Sequence, residues 1–180
     1  MWKAVLSLAF FGGLRCSEYS VPNVASAHVA PRISNVTFSD TGVMKYKVSR
    51  TKTKSHGITV TLGCSQTDIC APCTMTQYLK SRGSVSHVKA DSYLFACQGN
   101  PLTSPNVNAF ITDLVQSAGW DPSQYTAHSL RAGAASSAAQ AGFQDWELKK
   151  LGGWESRAYI SYVREQNDKV AGFAKCLAKC

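Results

Sequence analysis

Four groups of side chains in this 180-residue chain have types and spacings suited to chemistry on an anion. Arg15 and Glu18 stand three apart, so one helical face holds both. His128 and Arg131 repeat that spacing on an alanine-rich stretch. Tyr159 and Tyr162 are again three apart, shortly after Gly152-Gly153-Trp154. Arg50, Lys52 and Lys54 alternate with threonine and serine in one short basic run. Guanidinium forks grip oxyanions, imidazole donates or moves a proton, and a phenol is a latent nucleophile. Each group also has a plain reading. Arg15 with Glu18 makes a surface ion pair, His128 a helix cap or core histidine, and Lys52 a solvated basic turn. Trp154, Tyr159 and Tyr162 would then simply be core aromatics. Arg131, set among alanines, is the hardest to explain as solvation.

The elements that must position these groups are mostly helical. Trp2–Phe11 reads as a helix cut short at its start, broken by Gly12-Gly13. Residues 14–19 form one or two turns carrying Arg15 and Glu18, and residues 22–31 are irregular. Ile33–Phe38 is a first strand, and Asp40-Thr41-Gly42 is a turn. Met44, Tyr46 and Val48 alternate with Lys45 and Lys47, which places both lysines on the wet face of a second strand. Ile58, Val60 and Leu62 make a third. Arg50, Lys52 and Lys54 then fall at a hairpin tip or its shoulders. Helices follow over residues 74–82, 104–118 with Ser104 as cap, 129–141, 145–151, 156–165 and 168–177, with a short extended piece at 93–96. The expected fold is mainly α with a small antiparallel β-sheet, forming a single domain over 1–180.

Composition narrows the function. The net charge is +8, with 11 basic and 3 acidic residues in 1–90 against 8 of each in 91–180. An excess confined to one half favours a polyanion such as DNA or RNA. No apolar run reaches membrane-spanning length. Met1–Phe11 lacks the basic start and cleavage site of a signal peptide, and is read as a packed helix. Seven scattered cysteines do not form a secreted disulfide framework and point to a reducing compartment. Cys70-Ala71-Pro72-Cys73 has zinc-like spacing with Cys64 upstream, but there is no matching second pair. Small buried thiols are the preferred reading.

Taken in order, the motifs resemble those of the tyrosine recombinases. Gly13-Leu14-Arg15-Cys16-Ser17-Glu18 is similar to their first arginine box. Arg50-Thr51-Lys52-Thr53 resembles the hairpin bearing their catalytic lysine, and His128-Ser129-Leu130-Arg131 their His-x-x-Arg box. Leu151-Gly152-Gly153-Trp154 with Tyr162-Val163-Arg164 resembles the box that ends in the nucleophile. Together they cover about residues 5–165, in a flavour closest to recombinases of eukaryotic mobile elements such as DIRS-like retrotransposons and cryptons.

The resemblance implies cutting and rejoining of double-stranded DNA through a 3′-phosphotyrosyl link, without metal, cofactor or ATP. It implies Tyr162 as nucleophile, with Tyr159 as rival, and Arg15 and Arg131 as phosphate clamps. His128 donates a hydrogen bond and helps handle the phenol proton. Lys52 is the general acid, with Lys54 as rival. Trp154 bonds or buttresses the phosphate, and Glu18 orients Arg15 or His128. Lys45, Lys47, Arg50 and Lys54 contact the DNA backbone. Family members usually carry an N-terminal core-binding domain, so the chain is expected to be a fragment that binds DNA weakly and salt-sensitively alone. A homotetramer on two duplexes and a nuclear setting are implied as well. The competing functions are type IB topoisomerase-like relaxation and a catalytically silent, domesticated DNA-binding protein.

Overall fold

Helix α1 (Trp2–Phe11) is apolar on nearly every side, which suits a helix enclosed by the rest of the fold. Val5, Leu8 and Ala9 are fully buried, and α1 packs against both α2 (Ala71–Gly83) and α4 (Ala127–Gln140). Trp2 stacks on Phe110 with ring centroids 4.1 Å apart. The structure, a computed structural model, describes residues 1–49, 57–83, 89–154 and 157–163. Arg50, Lys52 and Lys54, and the helix expected over 168–177, lie outside the described residues.

A three-stranded antiparallel sheet has the order β1 (Val36–Phe38), β2 (Met44–Val48), β3 (Ile58–Leu62). Tyr46 pairs with Val36 on one side and Val60 on the other. Met44, Tyr46 and Val48 are buried while Lys45 and Lys47 are exposed, as the alternation requires. The first strand is shorter than expected. Ile33–Asn35 forms a 3-10 turn because Asn35 Oδ1 accepts the Arg32 N–H at 2.7 Å. The Ile33 and Ser34 N–H groups go to the Ser92 and Ala90 carbonyls rather than to the sheet. Residues 22–31, expected to be irregular, include a 3-10 stretch over Val24–Val29, started by Asn23.

The helical boundaries shift for similar local reasons. Helix α2 starts at Ala71, earlier than residue 74, since Pro72 costs no hydrogen bond in a first turn. Strands β4 (Ala96–Cys97) and β5 (Asn100–Pro101) form a small hairpin just past the extended piece expected at 93–96. In α3 (Ser104–Ser117) the cap is Thr103, not Ser104. The Ser104 hydroxyl is turned instead to Ser20 Oγ at 3.1 Å and the Val21 carbonyl. Helix α4 begins two residues before Ser129, capped by Thr126, so His128 sits in its first turn. Helix α5 (Asp145–Gly152) is capped at Gln144 rather than Asp145. The last element among the described residues is a 3-10 helix over Arg157–Tyr162; of the α-helix expected over 156–165, residues 156, 164 and 165 lie outside the described residues.

The main core joins α1, the sheet, α2 and α3. A second cluster, Ala135, Ala138, Leu148, Trp154 and Tyr159, ties α4 to α5 and the final turn. Among the described residues, no helix is long and apolar enough to cross a membrane.

Candidate active site

Helix α1 ends in a tight reversal that delivers Arg15. The Gly13 N–H bonds the Phe10 carbonyl and the Leu14 N–H bonds the Ala9 carbonyl, with Gly13 in the left-handed region at φ +55°. Arg15 then starts a 3-10 turn over Cys16–Glu18. Its backbone N–H donates to Glu18 Oε2 at 2.8 Å and its Nη1 to Oε1 at 3.0 Å. The Glu18 side chain is 1% exposed and that of Arg15 25%, so the carboxylate is buried beneath a guanidinium that still meets solvent. From β2, the Tyr46 hydroxyl donates to the Glu18 carbonyl at 2.6 Å. The sheet thereby fixes the turn. Burial, and then the charge of Glu18, push the Tyr46 phenol far up.

Arg131 reaches the same place from α4. It is 1% exposed, deeper than a simple phosphate clamp would sit. Its Nη1 donates to the Gly13 carbonyl and its Nη2 to the Gly152 carbonyl at 2.8 Å. Its guanidinium carbon lies 4.2 Å from the Trp154 ring centre. One side chain thus links the loop that holds Arg15 to the loop that holds Trp154. Burial, then the like charge of Arg15, hold the Arg131 guanidinium down at about 10, against the opposing pull of Glu18 and Tyr162. It therefore stays ionised at neutral pH.

Gly152 is required by this packing. A Cβ there would come within 2.1 Å of the Trp154 ring. Past Gly153 the Trp154 N–H closes α5 on the Lys149 carbonyl at 2.9 Å. The two tyrosines of the final turn then separate. Tyr159 is buried, packs on Trp154, and donates its hydroxyl to Asp145. That hydrogen bond, together with burial and the carboxylate charge, pushes its phenol up. Asp145 also pairs with Lys149 at 2.7 Å and with Arg157 at 3.6 Å. Tyr162 is only half-buried. Its ring lies 5.0 Å from that of His128 and 6.1 Å from that of Trp154. Ser136 Oγ on α4 donates to the Tyr162 carbonyl at 2.5 Å and holds the turn against the helix.

Arg15, Glu18, His128, Arg131, Trp154 and Tyr162 are thus brought together. Lys45 and Lys47 are not. They lie on the face of β2 opposite Tyr46, and so point away from the Glu18 turn. The backbone carbonyls of Gly13 and Gly152, the tether from Ser136 and the anchor at Asp145 escape sequence reasoning. Glycines two residues before Arg15 and Trp154 are the sequence trace of the first two. The cysteine reading is corrected in part: Cys70 is buried, but Cys64 and Cys73 are exposed.

The phage integrase family model matches residues 2–169. Among solved structures, the chain is similar to the XerH site-specific recombinase in a post-cleavage complex with a palindromic difH substrate. The TM-score is 0.72 and the identity 18%, covering 95% of this chain and 44% of that one. It is similar to the XerA recombinase, with a TM-score of 0.70, 18% identity, and 96% and 55% of the two chains covered. The Tn1549 transposon integrase in complex with transposon right-end DNA gives 0.62, 16%, 97% and 58%. The chain therefore spans about half the length of these proteins. A search of curated protein sequences found no match. A family match over nearly the whole length, on the same mainly helical fold with a small antiparallel sheet, places this chain in the phage integrase family, as a tyrosine recombinase catalytic domain.

Proposed function

We propose that this domain cuts and rejoins double-stranded DNA through a covalent bond between Tyr162 and a 3′-phosphate. The observation that carries the reading is the packing of a half-buried Tyr162 against His128 and against Trp154, whose ring also carries the Arg131 guanidinium. In this mechanism the Tyr162 oxygen attacks phosphorus and the phenol proton passes to His128. The bond from phosphorus to the 5′-oxygen breaks. Its electron pair stays on that oxygen, which takes a proton from Lys52 and leaves as a hydroxyl. Rejoining is the same path reversed by an incoming 5′-hydroxyl, so the link conserves the bond and needs no ATP. Arg15, which still meets solvent, holds the phosphoryl oxygens as charge builds there, and the buried Arg131 adds its positive charge while fixing the two loops that carry Arg15 and Trp154. Glu18 orients Arg15. Trp154 walls the pocket.

Lys45, Lys47, Arg50 and Lys54 grip the DNA backbone outside the pocket and position the duplex without reading its sequence. The working assembly is a homotetramer on two duplexes, and the activity belongs to a mobile element of eukaryotic type acting in the nucleus. The motif resemblance alone supports these last assignments.

A nicked suicide duplex tests the chemistry. The wild type is expected to form a denaturant-resistant adduct that Tyr162→Phe abolishes and Tyr159→Phe preserves. The reverse pattern would make Tyr159 the nucleophile. Relaxation of a supercoiled plasmid without strand exchange would favour the topoisomerase reading.

A further inference from the structure

Outside this pocket, three thiols converge where β3 hands over to α2. Cys64 follows the end of β3 by two residues, Cys70 immediately precedes α2, and Cys73 lies in its first turn. Between them Gln66 takes the left-handed conformation, at φ 56°. That reversal folds Cys64 back over the helix start. The Cys64 sulfur is 3.4 Å from that of Cys73 and 3.5 Å from that of Cys70, and all three lie within 4.8 Å of one another.

These separations are far longer than a disulfide bond of about 2.05 Å. They are close to the sulfur–sulfur edge of a zinc tetrahedron, about 3.8 Å for bonds of about 2.3 Å. Cys70 is fully buried and forms the floor of the triangle, while Cys64 and Cys73 are exposed. A surface hollow lined by Cys64, Cys73, Thr76, Gln77 and Lys80 opens beside the two exposed thiols. An ion can enter from that side, and a water can complete the tetrahedron.

We infer that Cys64, Cys70 and Cys73 bind one Zn2+ through three thiolates and a water, as a structural staple between β3 and α2. Binding releases the three thiol protons and leaves a complex of charge −1, in the half of the chain that carries the basic excess. Soft thiolates select zinc over calcium or magnesium. The staple holds the end of the strand that runs directly from the Lys52 segment, yet it does not depend on the recombinase reading.

Cobalt substitution tests it. The whole chain, purified under reductant and stripped with a chelator, is titrated with Co2+ and then with Zn2+. The expected result is one cobalt per chain, with sulfur-to-cobalt charge-transfer bands and a tetrahedral visible spectrum that zinc removes. Cys64→Ser and Cys73→Ser should each weaken binding at least about tenfold, since even outer-sphere changes cost about 10–100-fold. Cys97→Ser should leave it unchanged. Zinc should also raise the thermal midpoint of the wild type but not of folded Cys73→Ser, with folding checked by circular dichroism. Absence of the charge-transfer bands overturns the proposal. So does their survival in both Cys64→Ser and Cys73→Ser, or an equal loss in Cys97→Ser.

Discussion

Replacing Arg131 by lysine keeps the charge and removes the fork. An ammonium on that stem reaches one of the two carbonyls, so either Gly13 or Gly152 loses its donor. A hydrogen bond to a charged group contributes about 1.5–3 kcal/mol. The contact of the guanidinium with the Trp154 ring, its carbon 4.2 Å from the ring centre, adds about 0.5–2 kcal/mol. The expected loss is therefore about 2–5 kcal/mol. For a domain of this size, about 2–4 °C per kcal/mol turns that into a fall of about 4–20 °C in the thermal midpoint. Arg15→Lys should behave differently. Its side chain is partly exposed and keeps its charge beside Glu18, so the stability loss should stay near about 1 kcal/mol. Both substitutions should nevertheless depress DNA cleavage, Arg15→Lys by about 100-fold or more because it removes a preorganised donor to the phosphate, and Arg131→Lys because it loosens the loops that place Arg15 and Trp154. Thermal unfolding followed by circular dichroism, run beside the suicide-duplex assay, separates the two effects. Equal midpoints for Arg131→Lys and wild type would refute the view that Arg131 ties the two glycine loops together.

Three further outcomes follow from the same geometry. Replacing Lys45 and Lys47 together by glutamine should reduce the slope of log affinity against log salt by up to about 2, at about 0.9 per lost phosphate contact; an unchanged slope would remove them from the DNA interface. Lys52→Ala should slow cleavage of ordinary DNA by about 10²–10⁴-fold, and replacing the leaving 5′-oxygen by sulfur should restore it, since a thiolate leaves without a proton; failure of that rescue would exclude Lys52 as the acid. Hydrogen bonds from Lys149 and Tyr159 hold the Asp145 carboxyl below its usual range. A depressed folded-state pKa means that this stabilisation is present above the ordinary carboxylate range and is lost as pH falls through the lower, folded value. The gap in unfolding midpoint between wild type and Asp145→Asn should therefore be widest near neutral pH and close in acid; a gap that widens in acid would contradict the assignment.

Local pattern carried most of the fold. The alternation at 44–48 and the apolar run at 2–11 each leave one economical arrangement, and the structure has it. Boundaries moved where a side chain had two possible uses. Ser104 was free to cap α3 but bonds Ser20, which leaves the cap to Thr103. Ser129 was read as the start of α4, but it lies inside the first turn, where its hydroxyl accepts the Thr126 N–H. In the site, the convergence of Arg15, His128, Arg131, Trp154 and Tyr162 was legible because the motifs lie in a fixed order along the chain. The depth of Arg131 was not. Its partners stand 118 and 21 residues away and are backbone carbonyls, which no residue type advertises. Likewise the spacing of Cys64, Cys70 and Cys73 was visible, whereas the reversal at Gln66 that brings them together was not.

The most direct measurement is the identity of the residue that carries the DNA. The adduct trapped on the suicide duplex is digested with protease and nuclease, and the nucleotide-linked peptide is sequenced by mass spectrometry. The mass should place a nucleotide 3′-phosphate on Tyr162 in the Arg157–Tyr162 turn. A link at Tyr159, at any other side chain, or through a 5′-phosphate would contradict the account.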